Sequence, residues 1–215
     1  MATEIASPPT RHAILDAADR LLARYGYRKT SMEDLAREAG LSRRTLYLHF
    51  ESKEELFLSK IARVVERLIV ELERIAVAPE PVEKRLARML RTRVLHRFDS
   101  VQGYFQSLDE MFAALRPAYL ERRERWFEHE AKVFAKVLAE GSKSGAFLPG
   151  DAALARERAR TLLIATNALL PYSLRAEELG SRREVEREVV HLSEMLIHGL
   201  VRHDGPPARS EEKRP

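Results

Sequence analysis

Helix-start signals at Ser31 and Ser42, with Gly40 just before the second, constrain this chain more than any other feature. They lie in S-M-E-D-L-A-R-E-A-G-L-S-R-R-T-L-Y-L-H-F-E-S-K, Ser31 to Lys53. Ser31 caps a first helix, and Asp34 three residues on completes a capping-box pattern that satisfies orphan N–H groups. Met32, Leu35, Ala36 and Ala39 then share one face, with Ala36 small where a second helix crosses closely. Gly40 falls where the turn needs positive φ, which glycine adopts without steric conflict. Leu41 plugs the corner, Ser42 caps the second helix, and Leu46 and Phe50 face inward. Arg43, Arg44, Thr45, Tyr47 and His49 are left outward by helical spacing.

That outward set has the chemistry of nucleic-acid recognition. A major groove admits one helix, and the planar fork of arginine matches the paired acceptors of guanine. Thr45 can bond a base or a phosphate, while Tyr47 and Lys53 suit phosphate oxygens. Lys53 stands in the first turn of a further helix announced by a capping-box pattern from Ser52 to Glu55. Two adjacent arginines alone are more often a solvated helix face. Their position just after a helical turn motif reverses that reading.

The stretches G-Y-R-K-T-S (Gly26 to Ser31), A-R-E-A-G-L-S (Ala36 to Ser42), T-L-Y-L-H-F (Thr45 to Phe50) and S-K-E-E-L (Ser52 to Leu56) resemble the tetracycline-repressor (TetR) family of bacterial transcriptional regulators. The resemblance is confined to the N-terminal part; beyond it only length and helical content agree. It implies base-reading roles for Arg43 and Arg44, and DNA contacts for Thr45, Tyr47, His49 and Lys53, with Ser31 joining the DNA-binding candidates. Some members carry a basic residue early in the first motif helix, where this chain has Glu33, so no base contact is assigned there. Leu48 replaces a residue that is often polar or aromatic, leaving an apolar contact such as a thymine methyl.

The 215 residues allow one large or two small domains, and two unequal domains suit the motif. Cysteine is absent, which excludes a disulfide framework and a thiolate metal site and agrees with a reducing cytoplasm. Met1 to Pro9 lacks the apolar core of a signal peptide, and no run approaches the ~20 apolar residues of a membrane span. A cytoplasmic protein without a membrane partner is expected. The formal charge of +4 permits nucleic-acid binding without demanding it. More informative is that Ala39 to Phe50 holds two arginines and no carboxylate.

Helical periodicity runs through the rest of the chain, with no useful strand alternation and no internal repeat. Residues 1–9 read as a flexible arm, and a first helix capped by Thr10 spans about Arg11 to Tyr25. A long helix from Ser52 to Val77 ends at A-P-E-P, Ala78 to Pro81. Val82 to Arg97 follows, with Lys84, Arg85, Arg88 and Arg91 expected on a solvated face. A short helix from Val101 to Leu115 is expected next, then one from Ala118 to Lys143 whose start Pro117 marks. Asp151 restarts the chain, and Ser181 with Glu184 opens the last helix. The prediction is an all-α fold with three parts of defined role. Residues 10–56 form a three-helix helix-turn-helix DNA-binding domain, residues 57–203 a larger helical effector-binding and dimerisation domain, and residues 204–215 a disordered tail.

The larger part supplies two further expectations. Small residues and apolar spacing in its last two helices suit a homodimer interface through Leu162, Thr166, Leu169, Leu192, Leu196 and Leu200, which would present two recognition helices to the half-sites of a double-stranded operator. Family members commonly enclose a small ligand among their middle helices. By resemblance, Phe98, Tyr104, Phe105, Phe112, Trp126, Phe127, Phe134, Asn167 and Tyr172 are candidates to line a pocket for an apolar or aromatic effector, although aromatics at helical spacing are more often packing. Catalysis, a metal and a cofactor have no motif to support them: Asp151 with Glu157, and Glu128 with Glu130, read as carboxylates on polar helix faces. The leading reading is a ligand-responsive repressor. The competing ones are a helical protein-interaction module, or an activator or co-regulator without a small effector.

Overall fold

The computed structural model describes residues 8–171 and 180–201. The described residues form α1 (Pro8–Lys29), α2 (Met32–Glu38), α3 (Arg43–His49), α4 (Lys53–Ala76), α5 (Val82–Val101), α6 (Leu108–Ser144), α7 (Ala152–Thr166) and α8 (Arg182–His198). Short 3₁₀ segments at Gln102–Ser107 and Asn167–Leu169 join α5 to α6 and follow α7. Among these residues there is no strand, only an isolated antiparallel bridge between Phe147 and Val201. Tyr172, residues 1–7 of the expected arm and the tail 204–215 lie outside the described residues. Pro8 already belongs to α1, where a first-turn proline removes an N–H that the helix would leave unpaired anyway.

Local signals set most of the boundaries. Ser31, Ser42, Ser52, Asp151 and Ser181 each accept a hydrogen bond from the backbone N–H three residues on. The reciprocal half of the capping box is present at Ser31 with Asp34 and at Ser181 with Glu184. At Ser52 it is displaced, because the Glu55 carboxylate takes the N–H of Glu51 instead. Gly26 interrupts α1 with φ 77°, and a Cβ there would stand 2.5 Å from the Ser107 hydroxyl of the first 3₁₀ segment. The backbone at Gly26 therefore favours glycine, and a larger residue would also have to displace the Ser107 hydroxyl.

The apolar core has two lobes. In the first, Ile14, Leu22, Leu35, Leu46, Phe50 and Phe57 from α1 to α4 are continuous with Val94, Phe98, Leu108, Leu115 and Val189 of the larger helices. The second joins Leu68, Leu72, Leu86, Met89, Phe134, Val137, Leu163 and Ile197. Helix α4, 24 residues and about 36 Å long, runs through both.

Three expectations are corrected. Helix α6 continues through Pro117 instead of starting there, since Leu108, Met111 and Leu115 before it and Tyr119 after it are all buried. Packing on both sides outweighs the roughly 3 kcal/mol that an interior proline costs. The basic side of α5 is only partly solvated: Arg85 is buried, donating to the carbonyl of Ala76 and to Glu140, and Arg93 and Arg97 are buried too. Their partner Glu130, expected on a polar face, is also buried. Arg93 completes its fork with Thr166 at 2.8 Å and Asn167 at 2.7 Å.

Candidate nucleic-acid interface

The reading helix is held from behind and capped from below. Leu46 and Phe50 are fully buried, and the Arg11 guanidinium lies 4.9 Å from the centre of the Phe50 ring. Ser42 Oγ accepts from the Thr45 N–H at 3.0 Å and pairs with the Thr45 hydroxyl at 2.8 Å. Gly40 has φ 69° in the turn, and Leu41 packs partly buried against the core. Arg20 staples α1 to the end of α2 through Glu38 at 2.6 Å.

This scaffold leaves a row of outward groups. Arg44 is exposed and makes no ion pair or hydrogen bond with the described residues. Tyr47 is 41% and Leu48 64% exposed, and Leu48 is the most apolar group on this face. Arg43 is exposed too, but its Nη1 donates to Glu33 at 2.7 Å and its guanidinium lies 5.7 Å from the Tyr47 ring centre. Tyr47, and after it Glu33, hold the Arg43 pKa above its ordinary value. Such a shift leaves the side chain charged at every working pH.

The remaining candidates are more engaged. The Ser31 hydroxyl donates to the Asp34 carboxylate at 2.6 Å and accepts from the Asp34 N–H, so it serves the cap; the hydroxyl, and after it the Ser31 N–H, pull the Asp34 pKa down. His49 is half-buried, and its Nδ1 has no hydrogen-bond partner among the described residues. The Lys53 ammonium sits 4.1 Å from the centre of the Tyr27 ring, and burial, against the pull of Glu54 and Glu110, lowers its pKa. Tyr27 is itself pushed up to about 12 by burial and by Glu54, which accepts its hydroxyl at 3.3 Å.

Sequence reasoning missed the junction beneath this surface. Lys60 and Arg63 point into the α1 contact of α4, where Lys60 meets Asp19 at 2.8 Å and the Tyr104 hydroxyl at 2.7 Å, and Arg63 meets Asp16 at 2.7 Å and Asp19 at 2.8 Å. The available signal was two acidic residues three apart on α1 and two basic ones three apart on α4, a spacing that puts each pair on one face. Glu110 at the start of α6 adds a link to α1, pairing with Arg28 at 2.8 Å. Between the end of α1 and residues 102–107 lies a half-open cleft of about 420 Å³.

The pocket and interface candidates divide sharply. Phe98 and Phe134 are fully buried, Tyr104 is held by Lys60, and Asn167 accepts from Arg93. Phe112, Trp126 and Phe127 are half-buried and Phe105 is exposed. Leu162 and Thr166 lie inside the chain's own core, with Thr166 bonded to Arg93, so a partner subunit could not meet them; Leu169, Leu192, Leu196 and Leu200 are half-buried. Among the described residues, no three His, Cys, Asp or Glu side chains are grouped to hold a metal ion, and no helix is long and apolar enough to cross a membrane.

Fold and surface together define a helix-turn-helix DNA-binding protein. The family model for bacterial regulatory proteins of the tetR family matches residues 14–59. An HTH-type transcriptional regulator of Mycobacterium tuberculosis is 32% identical over 137 residues, covering 53% of this chain and 68% of that protein. The fatty acid metabolism regulator protein of Bacillus subtilis is 27% identical over 157 residues, covering 69% and 77%. Transcriptional regulator FadR from Bacillus subtilis, solved in complex with stearoyl-CoA, shares the fold with a TM-score of 0.62 at 17% identity, covering 88% of this chain and 98% of that one. The chain belongs to the TetR family of bacterial transcriptional regulators.

Proposed function

We propose that this DNA-binding regulator is a repressor, released from its operator by a small, largely apolar effector. One observation carries the reading: a capped, core-anchored helix α3 presents Arg44, Tyr47 and Leu48 to solvent, and the Arg44 fork has no partner among the described residues. Arg43 and Arg44 read base edges, Tyr47 and Lys53 meet phosphate, and Thr45, His49 and Ser31 lie beside them on the DNA side. Residues 10–56 act as the reading head and residues 57–203 as the body that binds effector and partner. The site of action is the cytoplasm.

Two copies are needed to span half-sites about 34–36 Å apart. The outward apolar side chains Ile164 on α7 and Val190 and Met195 on α8, 60%, 38% and 61% exposed, support pairing through α7 and α8. Sedimentation is expected to show a dimer at micromolar concentration, and Ile164→Glu with Met195→Glu a monomer; a wild-type monomer contradicts the pairing.

For the effector, support comes from the Bacillus subtilis relative named for fatty acid metabolism and from the FadR structure holding stearoyl-CoA. In this chain Phe112, Tyr119 and Trp126 form a ladder along α6, with ring centres 5.5 and 6.0 Å apart. Such a ladder suits an acyl chain. The effector must favour the conformation whose recognition helices are wrongly spaced. Duplex fragments selected from genomic DNA, titrated with stearoyl-CoA and with stearate, provide the test. Release by either supports the reading, and unchanged binding with both contradicts it.

A further inference from the structure

Resting on the assignment of Arg43 to a base edge, we infer that Glu33 is a positioning residue that sets how selectively Arg43 reads its base. The first turn of α2 carries two carboxylates with different fates. Asp34 is consumed by the Ser31 cap and by Arg37. Glu33 reaches across to α3 and accepts from Arg43 Nη1 at 2.7 Å, while the Tyr47 ring flanks the same guanidinium 5.7 Å away. Because the capping box holds the turn that carries Glu33, the anchor is well placed.

A guanidinium has five N–H donors in a rigid fork. Glu33 takes a donor at one end, and Tyr47 restricts the swing of the plane. What remains of the fork is oriented before DNA arrives, so less rotamer freedom is lost when two acceptors of a guanine meet it. The same carboxylate opposes every phosphate that comes near. Glu33 thus lowers affinity for DNA in general and sharpens preference where Arg43 makes a bidentate contact. As an isolated surface ion pair it would do little for stability.

The two effects have opposite signs, which a merely structural role would not produce. The test is selection from a randomised duplex pool, followed by binding of the selected duplex, its single-base-pair variants and an unselected duplex. Glu33→Ala is expected to bind the unselected duplex more tightly, by about threefold to tenfold, with a steeper salt dependence. It should also lose about fivefold to tenfold of preference at one base pair in each half-site. Glu33→Gln keeps the acceptor but not the charge, so it should recover most of the preference while retaining the tighter unselected binding. In an Arg43→Ala background Glu33→Ala should change no base preference.

The inference is overturned if Arg43→Ala flattens that base pair while Glu33→Ala leaves it intact, or if Glu33→Ala weakens all binding together with thermal stability. If Arg43→Ala leaves every base preference unchanged, the assignment of Arg43 to a base falls, and the role of Glu33 with it.

Discussion

Arginines at the two ends of the molecule are used in opposite ways. On α3, Arg44 is exposed with its whole fork unspent among the described residues, and Arg43 gives one bond to Glu33. In the body, Arg93 is 2% exposed and donates to Glu130, Thr166, Asn167 and the carbonyl of Leu163, while Arg97 donates to Glu130 and to the carbonyl of Arg93. A guanidinium buried and paired within the protein has become part of the architecture, whereas one left with donors facing water is available for a partner. Arginine content alone says nothing about binding; the state of each fork decides.

Substitutions can break this contrast, and the largest effect is expected in the body. Glu130→Ala removes the carboxylate that Arg93 and Arg97 share, leaving buried positive charge, and should lower stability by about 3–5 kcal/mol in urea unfolding. Burial pushes the Glu130 carboxyl up, but Arg97 and Arg93 more than offset this, so its net pKa lies below the ordinary 4.5. The unfolded chain therefore takes up the proton first. The contribution is full above the unfolded value and is lost as pH falls through the folded one. Stability of wild type should drop more steeply below about pH 4.5 than that of Glu130→Gln; parallel curves would show that the cluster is not what titrates.

At the reading end the expected loss is in recognition. Arg44→Ala should cost about 1–3 kcal/mol of discrimination at one base pair per half-site. Its urea midpoint should shift by no more than about 0.5 kcal/mol equivalent, as for other exposed sites without partners. A large loss of stability would mean that Arg44 has structural work after all. Ser42→Ala removes the cap of α3 and should cost about 1 kcal/mol of stability, with DNA affinity falling alongside. The smallest change is expected for Lys53→Ala, a uniform weakening across sequences with the salt slope reduced by about 1, because its ammonium is partly spent on Tyr27.

What could be read from the sequence has a common length scale. The Ser31 and Ser181 capping boxes, the cap at Ser42 and the positive φ at Gly40 involve groups within a few residues of one another, and each was announced by its residue types. The exposure of Arg43, Arg44 and Tyr47 followed from the same local geometry, whereas Thr45 and His49 are half-buried. Arg93 and Glu130 lie 37 positions apart, and Asp19 and Lys60 belong to different helices, so no local pattern marks them as partners. Arg85 and Glu130 were placed on polar faces, and both are buried because a second helix brings an opposite charge to each. Pro117 misled for a related reason: its local meaning is a break, and buried side chains on both flanks hold the helix through it. Leu162 and Thr166 have the spacing of an interface and the burial of a core, and spacing cannot separate the two.

The central claim is that the side chains displayed by α3 read base edges. Its most direct test is competition between a duplex selected by the wild-type protein and an unselected duplex at about 0.15 M salt, a strength that weakens non-specific binding through phosphates. Wild type should prefer the selected duplex by about 10³-fold or more. Arg44→Ala should lose at least about tenfold of that preference with its melting temperature unchanged. Equal binding of both duplexes by wild type, or an Arg44→Ala protein that discriminates as well as its parent, would contradict the account.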